Sequence, residues 1–237
     1  MFSEKFKIRF SECDSTGKLT FPALVNYFQD VAGDHYYFAN YSISKIREMG
    51  YYWVILSWDI EVERFPLSDE TVEVFTFVNR ITKNFCVRSF EMREETGTVL
   101  ARATSNWVIC DSGSDRMTAI PQVLIDVIQA DGYTPMKRMP LSLDIKKSTL
   151  APICSFPVTR RHLDLNGHIN NVNYIRFLLD ELDRSHEVKR LQICYLAAAR
   201  EGENLSIFTE RDNDGSAVFQ IKNENGERKT EAKILLS

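Results

Sequence analysis

The sequence predicts an α+β protein of two tandem domains, each an antiparallel sheet wrapped around a central helix. Three observations lead there. A shift of 150 positions lays Phe6, Ile8, Asp14, Gly17, Leu19 and Asp30 on Phe156, Val158, Asp164, Gly167, Ile169 and Asp180, so one unit is carried twice. In each copy a single helical segment with an apolar stripe precedes several segments in which apolar and polar residues alternate. The 237 residues are enough for two small cores but not for two large domains.

In the first copy, residues 6–10 (Phe-Lys-Ile-Arg-Phe) alternate and predict a strand with one buried face. A loop and a helix follow. Thr20 suits the helix cap, Pro22 falls in the first turn where a missing N–H is harmless, and Phe21, Leu24, Val25, Phe28 and Ala32 recur at three- and four-residue spacing. From Tyr51 the period becomes two, predicting strands over 51–63, 71–78, 85–93 and 99–110, with Glu94-Glu-Thr-Gly97 turning between the last two. The second copy repeats this in compressed form. A strand is predicted over 155–160, then a helix striped by Ile175, Leu178, Leu179 and Leu182, then strands over 191–196, 205–210, 217–222 and 231–236, with Asn225-Gly226 as a hairpin turn. Residues 112–153 hold Pro121, Pro135, Pro140 and Pro152 and one short helical pattern near 123–128, which predicts a connector on the surface. The domain bounds are thus 1–130, a linker 131–150, and 151–237. A helix followed by a meander buries both apolar faces only if the sheet wraps the helix, the hotdog arrangement. Such units pair through their sheet edges, so the repeat predicts an internal pseudo-dimer.

Composition narrows the function. With 44% hydrophobic and 26% charged residues the chain is neither disordered nor fibrous. No apolar run reaches the roughly 18 residues of a membrane span, and the opening Met1-Phe-Ser-Glu-Lys has no signal-peptide core. A net charge of −4 speaks against broad nucleic-acid binding. Five scattered cysteines suggest neither a zinc site nor a disulfide framework, which fits a reducing, cytoplasmic setting. The expectation is a protein without membrane or nucleic-acid partners and without cofactor.

The chemistry-bearing stretch is Asp164-Leu-Asn166-Gly-His168, ahead of a helix opening with Asn170-Asn171. Its carboxylate, amide and imidazole occupy alternate positions, which point the same way in an extended loop. Asp164 suits a general base or nucleophile, Asn166 an orienting group, and His168 a proton relay. The N–H groups at the helix N-terminus suit an oxyanion. Together these point to acyl transfer or ester hydrolysis. Asp and Asn ahead of a helix also serve as caps and turn formers. The internal comparison separates the readings: Asp14 and Gly17 match Asp164 and Gly167 as a fold would require, whereas Thr16 and Lys18 stand where the second copy has Asn166 and His168. The aspartate, present in both copies, therefore carries a structural share. His162 with Asp164 and His168 is only a weak metal pattern. His35 and the aromatic residues Tyr51, Tyr52, Trp53 and Trp58 read as structural or core.

At this point the chain resembles the acyl-acyl carrier protein thioesterases of plant and bacterial fatty-acid synthesis. The pattern D-x-N-x-H-x-N-N-x-x-Y stands as Asp164, Asn166, His168, Asn170, Asn171 and Tyr174. Phe10-Ser-Glu-Cys-Asp14, Phe28-Gln-Asp30 and Ala103-Thr-Ser-Asn-Trp107-Val108, followed by Arg116 and Pro121, match the first half. The resemblance implies tandem hotdog domains, an acyl-chain pocket contributed mostly by the first, catalytic Asp164, Asn166 and His168 in the second, and hydrolysis of fatty acyl-acyl carrier protein (ACP) to a free fatty acid that ends chain elongation. Arg160, Arg161, Arg176, Lys137, Arg138, Lys146 and Lys147 are possible contacts for an acidic carrier or ordinary solvated charges. A homodimer is compatible with this arrangement but not required by it. One departure stands out. Many members carry a carboxylate on the strand after the helix, and alignment through Gly202 puts Ala198 there. The rival readings are an acyl-CoA thioesterase and, because of Ala198, a non-catalytic acyl-binding protein.

Overall fold

The computed structural model describes residues 1–143, 145, 150–182, 186–211 and 216–237, and the chain forms two compact units, Met1–Met139 and Pro140–Ser237.

The first unit runs β1 (Phe2–Lys7), α1 (Phe21–Phe38), α2 (Ile43–Glu48), β2 (Tyr51–Val62), β3 (Thr71–Ile81), β4 (Cys86–Glu94), β5 (Val99–Asp111), β6 (Arg116–Thr118) and α3 (Gln122–Asp126). Its antiparallel sheet is ordered β1-β3-β4-β5-β2, with β6 on the end of β5 that extends past β4. The Thr20 side chain accepts the Ala23 N–H, and Pro22 occupies the first turn, so α1 starts where the sequence places it. Leu24, Val25, Phe28 and Val31 on its stripe are completely buried. Phe28 packs on Trp58 of β2 and Phe90 of β4 at ring distances of 6.3 and 5.3 Å, and those two rings lie 5.1 Å apart. This aromatic triangle seats the helix on the concave face of the sheet.

Two expectations for this unit are corrected. The first strand lies at Phe2–Lys7, not 6–10, because its partner β3 begins at Thr71, opposite Lys7. Beyond Lys7 the chain bonds instead to the 67–70 turn (Ile8 N–H to Glu70 O, 2.9 Å) and then tightens into a 3-10 turn, Phe10–Glu12, which leaves Phe10 in solvent. The connector is also not a surface strap. Ile120, Leu124 and Ile128 are buried against Val78, Cys86, Ile109, Tyr36 and Ile46, closing the end of the core beside the C-terminus of α1, and Met139 is buried as well. Helix α2 escaped the sequence reading because only Ile46 is buried along it, too little to set a period.

The second unit runs β7 (Ala151–Pro157), α4 (Asn171–Asp180), β8 (Val188–Tyr195), β9 (Asn204–Arg211), β10 (Ser216–Asn223) and β11 (Arg228–Leu236), in the order β8-β11-β10-β9-β7. Helix α4 buries Val172, Tyr174, Ile175 and Leu178, and Phe177 packs on Phe156 of β7 at 4.4 Å. Leu182 falls past the end of the helix, and β7 begins four residues before the predicted strand. Val158 bonds to the following turn (Glu203 O, 2.8 Å) as Ile8 does in the first unit. The hairpins match too. Gly97 and Gly226 sit at φ +91° and +76°, a region open to glycine at little cost, in turns closed by Glu94 N–H to Thr98 O and Asn223 N–H to Glu227 O, each 3.0 Å.

Candidate active site

The loop ahead of α4 is a closed ring of short bonds. Leu163 and Ile169 pair as a bridge, Asp164 N–H donates to His168 O at 2.7 Å, and Gly167 N–H donates to Asp164 O at 3.2 Å with Gly167 at φ +75°. Asp164 Oδ1 accepts the backbone N–H of Asn166 at 2.7 Å and of His168 at 3.1 Å, while Oδ2 faces Asn166 Nδ2 at 3.5 Å. One carboxylate oxygen therefore builds the loop and the other meets the amide predicted to act with it. Asp164, Asn166 and His168 are all partly exposed on this one loop, and Leu165 between them points into solvent.

The loop is fastened on both sides. Asn170 Oδ1 caps α4 by accepting Val172 N–H at 2.9 Å, and Asn170 N–H and Asn173 Nδ2 both donate to His162 O at 2.9 and 3.0 Å. Tyr195 on β8 donates its hydroxyl proton to Asn171 O at 3.1 Å. Ile169 N–H donates to Ala199 O at 3.0 Å, tying the loop to the segment that holds Ala198. His162 belongs to this framework. Its ring nitrogens lie 3.1 Å from the Thr159 amide and from Arg161 Nε, its ring stands edge-on to Phe177 at 5.1 Å, and burial and then Arg161 lower its pKa.

Ala198 is exposed, and its carbonyl takes a bond of 2.9 Å from Lys229 Nζ. Lys229 is nearly buried and also reaches Glu203 Oε2 at 3.0 Å and Glu227 Oε2 at 2.8 Å. Glu203 turns its other oxygen to Arg200 N–H at 2.7 Å. It is thus a member of the turn and does not replace the missing carboxylate. Lys229 was missed by the sequence reading. The signal present was a lysine inside a strand that otherwise alternates, two residues past Glu227. Tyr174, the last residue of the motif, is 3% exposed, and burial pushes the pKa of its hydroxyl up.

The basic residues divide. Arg160, Arg161 and Arg176 are exposed next to the loop. Arg138 is engaged within the first unit, donating from Nε to Asn106 Oδ1 at 2.9 Å and lying 4.7 Å over the Phe85 ring. Lys146 and Lys147 lie outside the described residues. His35 stacks on Phe2 at 5.4 Å, and burial and then Arg88 push its pKa down to about 4, which makes it a structural, neutral imidazole. Trp58 is entirely in the core.

Two units in which a sheet wraps a helix, the second bearing a carboxylate, an amide and an imidazole on one loop at its helix N-terminus, define a tandem hotdog protein. The family model for the acyl-ACP thioesterase N-terminal domain matches residues 1–128 and that for the C-terminal domain matches residues 145–237, and the chain belongs to the acyl-ACP thioesterase family. It is 22% identical to oleoyl-acyl carrier protein thioesterase 2 of Arabidopsis thaliana, covering 95% of this chain and 67% of that protein. With palmitoyl-acyl carrier protein thioesterase of Gossypium hirsutum it shares 27% identity over 82% of this chain and 51% of that one. The chain therefore spans about half to two thirds of the length of these two relatives. Among solved structures it is similar to an acyl-ACP thioesterase from Bacteroides thetaiotaomicron (TM-score 0.88, 22% identity, 99% of this chain and 97% of that one). It is also similar to the 12:0-ACP thioesterase from Umbellularia californica (TM-score 0.78, 20% identity, 100% and 96%). These structures establish the fold as hotdog.

Proposed function

We propose that this protein hydrolyses the thioester of fatty acyl-ACP, releasing a free fatty acid and ending chain elongation. The observation that carries the reading is the divided carboxylate of Asp164: Oδ1 is held by two backbone N–H groups while Oδ2 faces the Asn166 amide. A fixed carboxylate beside an orienting amide is what attack on a carbonyl requires, whether Asp164 activates a water or attacks directly, with His168 relaying the proton. Family membership supplies the substrate class. In this reading the second unit carries Asp164, Asn166 and His168, the first holds most of the acyl chain, and exposed Arg160, Arg161 and Arg176 face an acidic carrier. The cytoplasm is the expected location, supported by five cysteines that stand as separate thiols.

The test is steady-state thiol release from medium and long acyl groups on ACP and on CoA, with wild type, Asp164→Ala and His168→Ala. Turnover favouring ACP and lost in folded variants is the expected result, whereas turnover on CoA alone reassigns the carrier. Ala198 favours a second reading, a protein that binds acyl groups without hydrolysing them. Stoichiometric binding with no turnover at any chain length would select it.

A further inference from the structure

The concave face of the first unit, expected to be a hydrocarbon environment, contains a buried cation. Arg88 on β4 is 2% exposed. It donates from Nη1 to Thr76 Oγ1 at 3.0 Å, lies 3.4 Å from His35 Nδ1 and 5.4 Å over the Tyr36 ring, and among the described residues its Nη2 has no hydrogen-bond partner. Among the described residues no carboxylate pairs with it. His35 offers no compensating charge, being a neutral imidazole whose pKa burial and Arg88 hold near 4.

The register shows that Arg88 is not an isolated oddity. Arg88 stands opposite Ser105 of β5, and Ser105 stands opposite Trp58 of β2, so the three form one row across the sheet beneath α1. Ser105 and Thr76 are fully buried. Among the described residues, the indole N–H groups of Trp58, in the row, and of Trp53, one ring beyond Tyr36, are buried without hydrogen-bond partners, as is Arg88 Nη2. Every unmatched group of this row and its neighbour is therefore a donor. A buried donor left unmatched is costly, and a buried cation without a counter-charge more so, which makes the row complementary to an acceptor, and best to an anionic one.

Resting on the reading that the first unit holds the acyl chain, we propose that this row is a subsite for an acyl chain bearing an oxygen acceptor on its distal part, a carboxylate being the best match. Arg88 supplies the charged donor, and the Trp58 and Trp53 indoles supply the neutral ones. A plain hydrocarbon tail satisfies none of them.

The test is direct binding, followed by calorimetry and by tryptophan emission, of three probes to the whole protein: methyl dodecanoate, methyl ω-hydroxydodecanoate and the monomethyl ester of dodecanedioic acid. The half-ester is expected to bind at least about tenfold more tightly than methyl dodecanoate, with the hydroxy ester between them. Arg88→Met is expected to abolish that order while leaving methyl dodecanoate bound as well or better. If Arg88→Met does not fold, Arg88→Gln carries the same expectation, and Arg88→Lys should keep part of the preference. Equal affinities in wild type, or a preference that survives loss of the charge, would overturn the proposal. Hydrolysis of unsubstituted dodecanoyl-ACP is measured in parallel. Turnover without half-ester preference overturns the subsite alone, and the preference without turnover overturns the hydrolase reading alone.

Discussion

Asp14 and Asp164 hold their loops by the same bonds. Each Oδ1 accepts the N–H two residues on, at 2.8 and 2.7 Å, and the N–H four residues on, at 3.2 and 3.1 Å. They differ in what else they meet. The Thr16 hydroxyl adds a third bond to the same oxygen of Asp14, at 2.7 Å, whereas in the second loop Asn166 approaches Oδ2. Both aspartates hold their loops through Oδ1, and in the second loop an amide side chain also faces Oδ2.

Under the proposed function, that difference predicts opposite outcomes for substitutions at the two positions. Asp164→Asn keeps a carbonyl oxygen for the loop, so it should fold with little change in Tm and lose about 10²-fold or more in kcat. Asp14→Ala should lower stability by about 1 kcal/mol and leave kcat near wild type. Thermal melts and thiol-release kinetics on both variants check this. Comparable kcat losses at Asp14 and Asp164 would show that Asp164 acts only through loop structure.

Ala198 gives a gain-of-function prediction. Its side chain is exposed, and the segment is held through the carbonyl, not the Cβ. Ala198→Glu should therefore be accommodated without unfolding and, by restoring the carboxylate that the family resemblance places there, should raise kcat by about tenfold. An unchanged kcat in the folded variant would mean that the three residues of the loop suffice.

Lys229 braces the site from 31 residues downstream of Ala198. Lys229→Met removes the counter-charge of Glu203 and frees the Ala198 carbonyl, with an expected loss of about 2 kcal/mol at neutral pH and a fall in kcat through a loosened Ile169 bond. The pH dependence has a definite sign. Burial lowers the Lys229 pKa, but Glu227 and Glu203 outweigh it and hold the pKa above its ordinary 10.5. Its contribution is therefore complete below 10.5 and is lost as pH rises through the folded value. Glu203 is the mirror case. Burial raises its pKa, but the Arg200 amide and Lys229 bring it below 4.5, so its contribution is complete above 4.5 and is lost as pH falls through the folded value. The stability gap between wild type and Lys229→Met should be widest between these limits and narrow outside them.

The aromatic triangle sets the stability of the first unit. Phe28→Ala removes a fully buried ring from between Trp58 and Phe90 and should cost about 3–5 kcal/mol. Denaturant titration followed by tryptophan emission reads it directly. A loss below about 1 kcal/mol would mean that the helix is not seated by this contact.

Much of the molecule was legible along the chain because its signals are local. Thr20 and Pro22 mark the start of α1 within three residues, Gly97 and Gly226 mark equivalent turns, and Asp164, Asn166 and His168 declare themselves against Thr16 and Lys18 one repeat earlier. What was not legible depends on a distant partner. The alternation at 6–10 is real, yet the strand lies at Phe2–Lys7 because the edge of β3 ends opposite Lys7. Prolines made 112–153 read as surface, yet Ile120, Leu124 and Ile128 fill the end of a core assembled from α1, α2, β3, β4 and β5.

The sequence by itself determined two copies of a helix-and-sheet unit and singled out the 164–168 loop on which the proposed function rests, since periodicity, capping and turn residues act over a few positions. Only the tertiary structure decided how the side chains of that unit were spent. It joined Lys229 to Ala198 and set Arg88, Ser105 and Trp58 in one row, because strand register brings together residues far apart in the chain, and burial turns an ordinary lysine or arginine into a group that must find a partner.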